Sequence, residues 1–255
     1  SCTGSSVMLE LILNGRAPAG MIFAEREEIL SLGGIVADEM FGRSIPMLAI
    51  GKQRFAELRD ISHVAVDGDQ VRETRPGDPA AKARPSAGTT TPTLTLTDLD
   101  RSMLAGEASK AEQVAMRIIV RMAAVLEAGQ LIDITRAHID GCIYASPANL
   151  RFAEDMAALG AQVRIPTSTN AISVDRENWR RQGVAEAFGG PAARLADAYV
   201  RMGCAPSFTC APYLLGDPPR AGERIAWSES NAVLFANSVL AARTAKHPDF
   251  FDLCI

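Results

Sequence analysis

Apolar and polar positions along the chain fall into short blocks, and each block predicts a short element. Val7 to Leu13 (VMLELIL) reads as a buried helix, with Ser5 or Ser6 as N-cap and Asn14-Gly15 as its stop. Ala19 to Phe23 predicts a strand, and Glu25 to Phe41 a helix broken at Gly33-Gly34. Ile45 to Ile50 predicts a second strand and Phe55 to Asp60 a helical turn. Val64 to Glu73 alternates about Asp67-Gly68, the strongest local hairpin signal in the sequence.

The pattern then lapses. Residues 74–93 (TRPGDPAAKARPSAGTTTPT) are rich in Pro, Gly, Ala and Thr and carry no hydrophobic face, which predicts a linker. Order resumes at Leu94. Thr97 caps a long helix with Asp98 and Asp100 at the positive end of its dipole. Ala111 to Leu126 continues that helix and buries Val114, Ile118 and Val125 on one side. Leu131 to Thr135 and Val163 to Ile165 read as strands, and Asn149 to Leu159 as a helix stopped by Gly160. Pro191 to Met202 reads as a helix with Pro in its first turn and Gly203 just past its end. The fold class is α/β: a small α/β domain over 1–73, the linker over 74–93, and a larger α/β domain over 94–255 with a parallel sheet. Ligands in such sheets sit at the carboxyl ends of the strands. The polar loops at His138, Asn170 and Cys210 each follow a predicted strand, so they are expected to converge.

Composition narrows the function classes. The 255 residues are 47% hydrophobic and 22% charged with a net charge of −4, so nothing favours nucleic acid or an anionic membrane surface as partner. The apolar runs are too short or too interrupted to span a bilayer. Five cysteines at irregular spacing fit reduced thiols in a cytoplasmic protein better than a disulfide framework. The chain opens at Ser1 without a methionine, inside what reads as a working motif, and stops on the apolar run Phe250 to Ile255. An internal piece of a longer polypeptide is expected.

The densest chemistry lies in Ser207 to Arg243. Cys210 opens it, a loop at Gly216 to Gly222 crosses it, and a helical stretch closes it with Ser228, Glu229, Ser230, Asn231, Asn237, Ser238 and Arg243. Asn and Ser prefer caps to helix interiors, so their recurrence asks for hydrogen-bond partners, a ligand among the candidates. The plainer account is close packing or solvation, with Cys210 a small buried hydrophobe.

The wording C-x-P-Y-L-x-G-x-x-P-x-x-G-E-x-I-A-W-x-E-S-x-A-V-x-x-A-N-S-V-x-x-A-R is similar to the large-subunit segment of the aconitase X family. M-L-x-G-E at Met103–Glu107, A-H-I-x-G at Ala137–Gly141 and P-T-x-x-N at Pro166–Asn170 resemble the same family in the same order. Ser1–Ser5, A-P-A at Ala17–Ala19 and Ile45-Pro46 resemble its small, swivelling part. The resemblance implies a hydro-lyase that removes water from a small hydroxy acid at an iron–sulfur cluster held by three cysteines. It implies Cys210 as one cluster ligand, with the others expected beyond Ile255, and Ser1 as the base. Thr3, Ser5, His138, Asn170, Ser230, Asn231 and Arg243 are implied as substrate-side residues. An iron with an open position can act as Lewis acid, and a serine can act as base only where donors stabilise its alkoxide. The amides of Thr3 to Ser6 at a helix start are candidates for those donors.

Two substrates compete within the family. Fused chains imply cis-3-hydroxy-L-proline, giving 1-pyrroline-2-carboxylate; separate-subunit relatives imply mevalonate 5-phosphate. The segments around the expected site show only isolated arginines, which favours the unphosphorylated substrate. A non-catalytic iron-responsive protein, or a module binding a small anion, is the reading from outside catalysis.

Overall fold

The computed structural model describes residues 3–75 and 93–255. Ser1 and most of the expected linker lie outside the described residues.

The small part opens with α1 (Gly4–Leu13), β1 (Met21–Phe23), α2 (Ile29–Phe41), β2 (Met47–Ala49) and α3 (Lys52–Glu57). A hairpin of β3 (Val64–Asp67) and β4 (Gln70–Glu73) follows, antiparallel and turning at Gly68 with φ +63°, as the alternation predicts. β1 and β2 pair in parallel. Two expectations change here. Ser5 and Ser6 do not cap α1: Thr3 is the N-cap, and both serines are buried inside the helix. α2 runs unbroken through Gly33-Gly34. A Cβ at Gly33 would lie 2.5 Å from the Ser5 carbonyl oxygen and 2.8 Å from Met8 Cβ, so the glycine lets α1 and α2 touch rather than ending α2.

The large part contains α4 (Asp98–Ala105), α5 (Lys110–Val125), β5 (Ala137–Ile139), α6 (Pro147–Ala158), β6 (Thr167–Thr169), α7 (Glu186–Arg201), β7 (Ala226–Trp227), α8 (Ser230–Ser238) and α9 (Phe251–Cys254). Thr97 and Asp100 form a capping box, but the expected long helix is two helices: Gly106 closes α4 in the left-handed region and Ser109 caps α5 afresh. Pro191 lies inside α7, which begins five residues earlier at Glu186. The sheet is parallel, in the order β6-β5-β7. Its strands are not the apolar runs 131–135 and 163–165 but the segments after them, Ala-His-Ile and Thr-Ser-Thr. His138 therefore stands within a strand, not in a loop.

Alternate strand residues face opposite sides. Ile139 joins the main core with Val114, Ile118 and Met122 of α5 and Phe250 and Phe251 near the chain end. Trp227, paired in register with His138, packs with Ala232 and Ala236 of α8 on the other side. Met8, Leu9, Leu32 and Val36 of the small part belong to the same main core as α5, α6 and α7. Arg121 of α5 adds hydrogen bonds to Asp38 (2.8 Å) and Glu39 (2.9 Å) of α2. The two parts share one interior. Among the described residues no helix is long and apolar enough to cross a membrane.

Candidate active site

The three strands end on polar residues, and the ends meet. Asp140 follows β5, Asn170 follows β6, and Ser228 and Glu229 follow β7. The Asn170 Nδ2 amide donates to Asp140 Oδ1 at 2.8 Å and to Glu229 Oε2 at 2.5 Å. Its carbonyl Oδ1 accepts from the Ala171 amide at 2.6 Å, which fixes the orientation of the group. Lys246 Nζ lies 3.3 Å from Asp140 Oδ2 and also donates to the Ser228 carbonyl. Beneath Asp140, Asp252 Oδ2 accepts the Asp140 amide at 2.6 Å. The Ser228 hydroxyl and Asp252 Oδ1 are buried without a hydrogen-bond partner.

Charge in this cluster is shifted by burial and by neighbours. Burial, then the Asp140 carboxylate, raise the Glu229 pKa, with Asn170 and Lys246 opposing. Burial raises Asp252 well above the usual carboxylate range and pushes Asp249 up to about 7. Asp249 Oδ2 accepts from the Ser6 hydroxyl of α1 at 3.0 Å, so the small part reaches the polar cluster directly. His138 is fully buried and burial lowers its pKa to about 4, leaving a neutral ring. Ser168 Oγ lies 2.8 Å from its Nδ1, while Nε2 has no hydrogen-bond partner.

Cys210 sits beside this edge. Thr209 donates its amide to Thr169 at the end of β6, and Asn231 Nδ2 of α8 donates to the Cys210 carbonyl at 2.7 Å. Cys210 is exposed, whereas Cys142, Cys204 and Cys254 are buried, with the Cys204 thiol pushed up to about 12 by burial. No group of three metal-ligating side chains occurs among the described residues. Cys210 thus fits as one ligand of a metal group, and the described residues do not complete the set.

Of the sequence-derived candidates, Asn170, Asn231 and Cys210 are brought together, with exposed Ser230 at the start of α8. Thr3 is exposed at the N-cap of α1. Ser5 is buried with its hydroxyl on the Ile29 carbonyl at 2.8 Å. Arg243 is on the far side: its backbone pairs with Glu223 and Ile225 ahead of β7, and it lines an apolar groove with Ala137 and Thr167, the first residues of β5 and β6. Asn237 pins Thr244 through both amide atoms and is structural. Sequence reasoning gave no site role to Asp140, Glu229, Lys246, Asp249 or Asp252. The available signal was positional, since Asp140 and Glu229 stand directly after or within two residues of their strands.

A parallel α/β sheet with acid, amide and amine groups at its carboxyl edge, met there by a second α/β unit, has the form of a two-part α/β protein that handles a small ligand. The family models agree on both units: one described as aconitase X first domain matches residues 93–255, and one described as aconitase X swivel domain matches residues 1–73. The chain belongs to the aconitase X family. It is 56% identical over 255 residues to a cis-3-hydroxy-L-proline dehydratase of Pseudomonas aeruginosa and 49% identical over 262 residues to one of Hypocrea jecorina. Both matches cover 100% of this chain and 44% of the relative, so the chain spans less than half the length of either. A phosphomevalonate dehydratase large subunit of Methanothermobacter thermautotrophicus is 38% identical over 151 residues, covering 57% of this chain and 38% of that protein. The crystal structure of Thermococcus kodakaraensis aconitase X in its holo-form matches with a TM-score of 0.55 and 33% identity, over 63% of this chain and 40% of that one.

Proposed function

We propose that this chain forms the swivelling domain (1–73), linker (74–93) and first large domain (94–255) of a hydro-lyase that converts cis-3-hydroxy-L-proline to 1-pyrroline-2-carboxylate. The observation that carries this reading is the whole-chain similarity to two dehydratases of that name, at 56% and 49% identity. Cys210 is the one described thiol open to a cluster, and its loop is held by Asn231. An iron–sulfur cluster bound there would supply a Lewis acid for the departing hydroxyl. Ser1 takes the proton beside the carboxylate, with Thr3 and the first-turn amides of α1 in the role of its donors. Asn170, Ser230 and Asn231 lie on the substrate side, with His138 as a neutral, buried support. Ser5 and Arg243 act from further away, since one is buried on α2 and the other stands behind the sheet. The odd number and irregular spacing of the cysteines support a reducing, cytoplasmic setting.

Mevalonate 5-phosphate is the weaker substrate. A phosphate wants several cations, and among the described residues the polar edge offers Lys246, already set against Asp140. The test is dehydration by the iron-loaded holoenzyme with each substrate, alongside Cys210→Ala. Turnover of the hydroxyproline, with iron and activity both lost in the variant, is expected. Turnover of the phosphorylated substrate alone would reassign the substrate, and iron binding without turnover of either would favour a non-catalytic, iron-responsive role.

A further inference from the structure

Glu229 and Asp140 approach each other closely enough for one Asn170 nitrogen to serve both, at 2.5 and 2.8 Å. A carboxylate set beside a second carboxyl group favours the protonated form of its neighbour. Lys246 Nζ stands 3.3 Å from Asp140 Oδ2, and the Asp140 side chain is only 9% exposed. Glu229 is half-buried, at the N-cap of α8, and carries the open side of the pair. Beneath the pair, Asp252 of α9 accepts the Asp140 amide, and the Ser228 hydroxyl is buried at the end of β7.

We propose that Glu229 is the general acid that protonates the departing hydroxyl, with Asp140, Asn170 and Lys246 as its positioning residues. This rests on the hydro-lyase reading above and assigns a residue that reading leaves open. The base first removes the α-proton and leaves its electron pair on the α-carbon, a step that solvent can reverse; that pair then forms the new double bond as the C–O bond breaks. The hydroxyl leaves with the Glu229 proton as water, and Glu229 remains as carboxylate until a solvent proton restores it. The raised pKa of Glu229, caused by burial and then by Asp140, fits a group that keeps its proton until this step. The charged groups facing it are Asp140 from the end of β5 and Lys246 from the segment before α9.

The experiment separates the two proton transfers in the iron-loaded holoenzyme. In Glu229→Gln, dehydration should fall on the order of a hundred- to ten-thousand-fold. Exchange of the substrate α-proton in deuterated water should stay within a few-fold of wild type. The infrared difference between substrate-free wild type and variant at neutral pH should show the loss of one protonated-carboxyl component, while the bands of the raised Asp249 and Asp252 carboxyls remain in both. Dehydration retained within a few-fold, or exchange and dehydration falling together, would overturn the assignment. So would an infrared difference without that component. Should Glu229→Gln fail to fold, Asp140→Asn decides: without the neighbouring charge, the high-pH limb of kcat should move to lower pH, and an unmoved limb refutes the pairing. If wild type dehydrates neither substrate, the proposed function falls, while the infrared difference still reports whether Glu229 holds a proton.

Discussion

Asp249 shows how much one carboxyl group can carry. It is 4% exposed, and burial pushes its pKa to about 7 against the hydrogen bond from Ser6. Between pH of about 4, where an ordinary aspartate ionises, and about 7, the folded chain keeps a proton that the unfolded chain has lost. Its contribution to stability is therefore full at low pH and disappears as the pH rises toward 7. His138 and His247 act the other way. Burial lowers both to about 4, so their contribution appears as the pH rises from about 4 to the ordinary histidine range. In the wild type the opposing trends partly cancel. Asp249→Asn removes the falling limb and keeps an acceptor for Ser6. The unfolding free energy of this variant relative to wild type should rise by on the order of 3 kcal/mol between pH 4.5 and pH 8, read by urea denaturation at each pH. A difference that is constant with pH would mean that Asp249 is not protonated in the folded chain. The sequence offered no sign of this role, because nothing local to Asp249 marks it for burial; the structure sets its carboxyl against Ser6 of α1.

At the level of elements, sequence and structure part company where a local signal meets a tertiary demand. Helices with a clear apolar face were legible, but not the side-chain caps at Ser109 and Ser146 on which α5 and α6 begin. The strands of the large part were not. β5 and β6 have three residues each, one polar at His138 and the other wholly so, and neighbouring backbone rather than hydrophobic pattern specifies them. Reading the apolar runs as strands set the carboxyl ends of β5 and β6 too early, and β7 was not read as a strand, so Asn170 was found through its motif while Asp140 and Glu229 received no role. Gly33 makes the same point in a helix. A glycine pair in an apolar helix reads as a break, yet α2 continues because α1 needs the space. Gly33→Ala should therefore destabilise the fold by about 1–3 kcal/mol, although alanine is the better helix former. The clashing atom at 2.5 Å is the backbone oxygen of Ser5, which cannot move aside as a side chain would. Equilibrium denaturation measures this, and a neutral or stabilising result would show that the helices separate at little cost.

Over the whole molecule, the α/β class and the division into a small and a large part were readable from composition shifts and alternating blocks, but the intimacy of the two parts was not. Their helices share one core, with Leu9 and Val36 from one side and Ile118 and Phe152 from the other. Glu10 of α1 accepts the Ala148 amide at 2.7 Å, and Arg26 donates to the Leu126 carbonyl at 2.9 Å. None of these contacts depends on the peptide that joins residue 75 to residue 93. A covalent join raises the local concentration of one part around the other, to the order of a millimolar. Severing it dilutes the partners about a thousandfold in a micromolar solution, a loss of about 4 kcal/mol, while the packed surface itself is untouched. Polypeptides 1–75 and 93–255, made together, should then co-purify as a one-to-one pair, and separate elution would show that the covalent tether holds the core closed. A chain built this way can be encoded as one gene or as two, with the choice changing the kinetics of assembly rather than the architecture assembled.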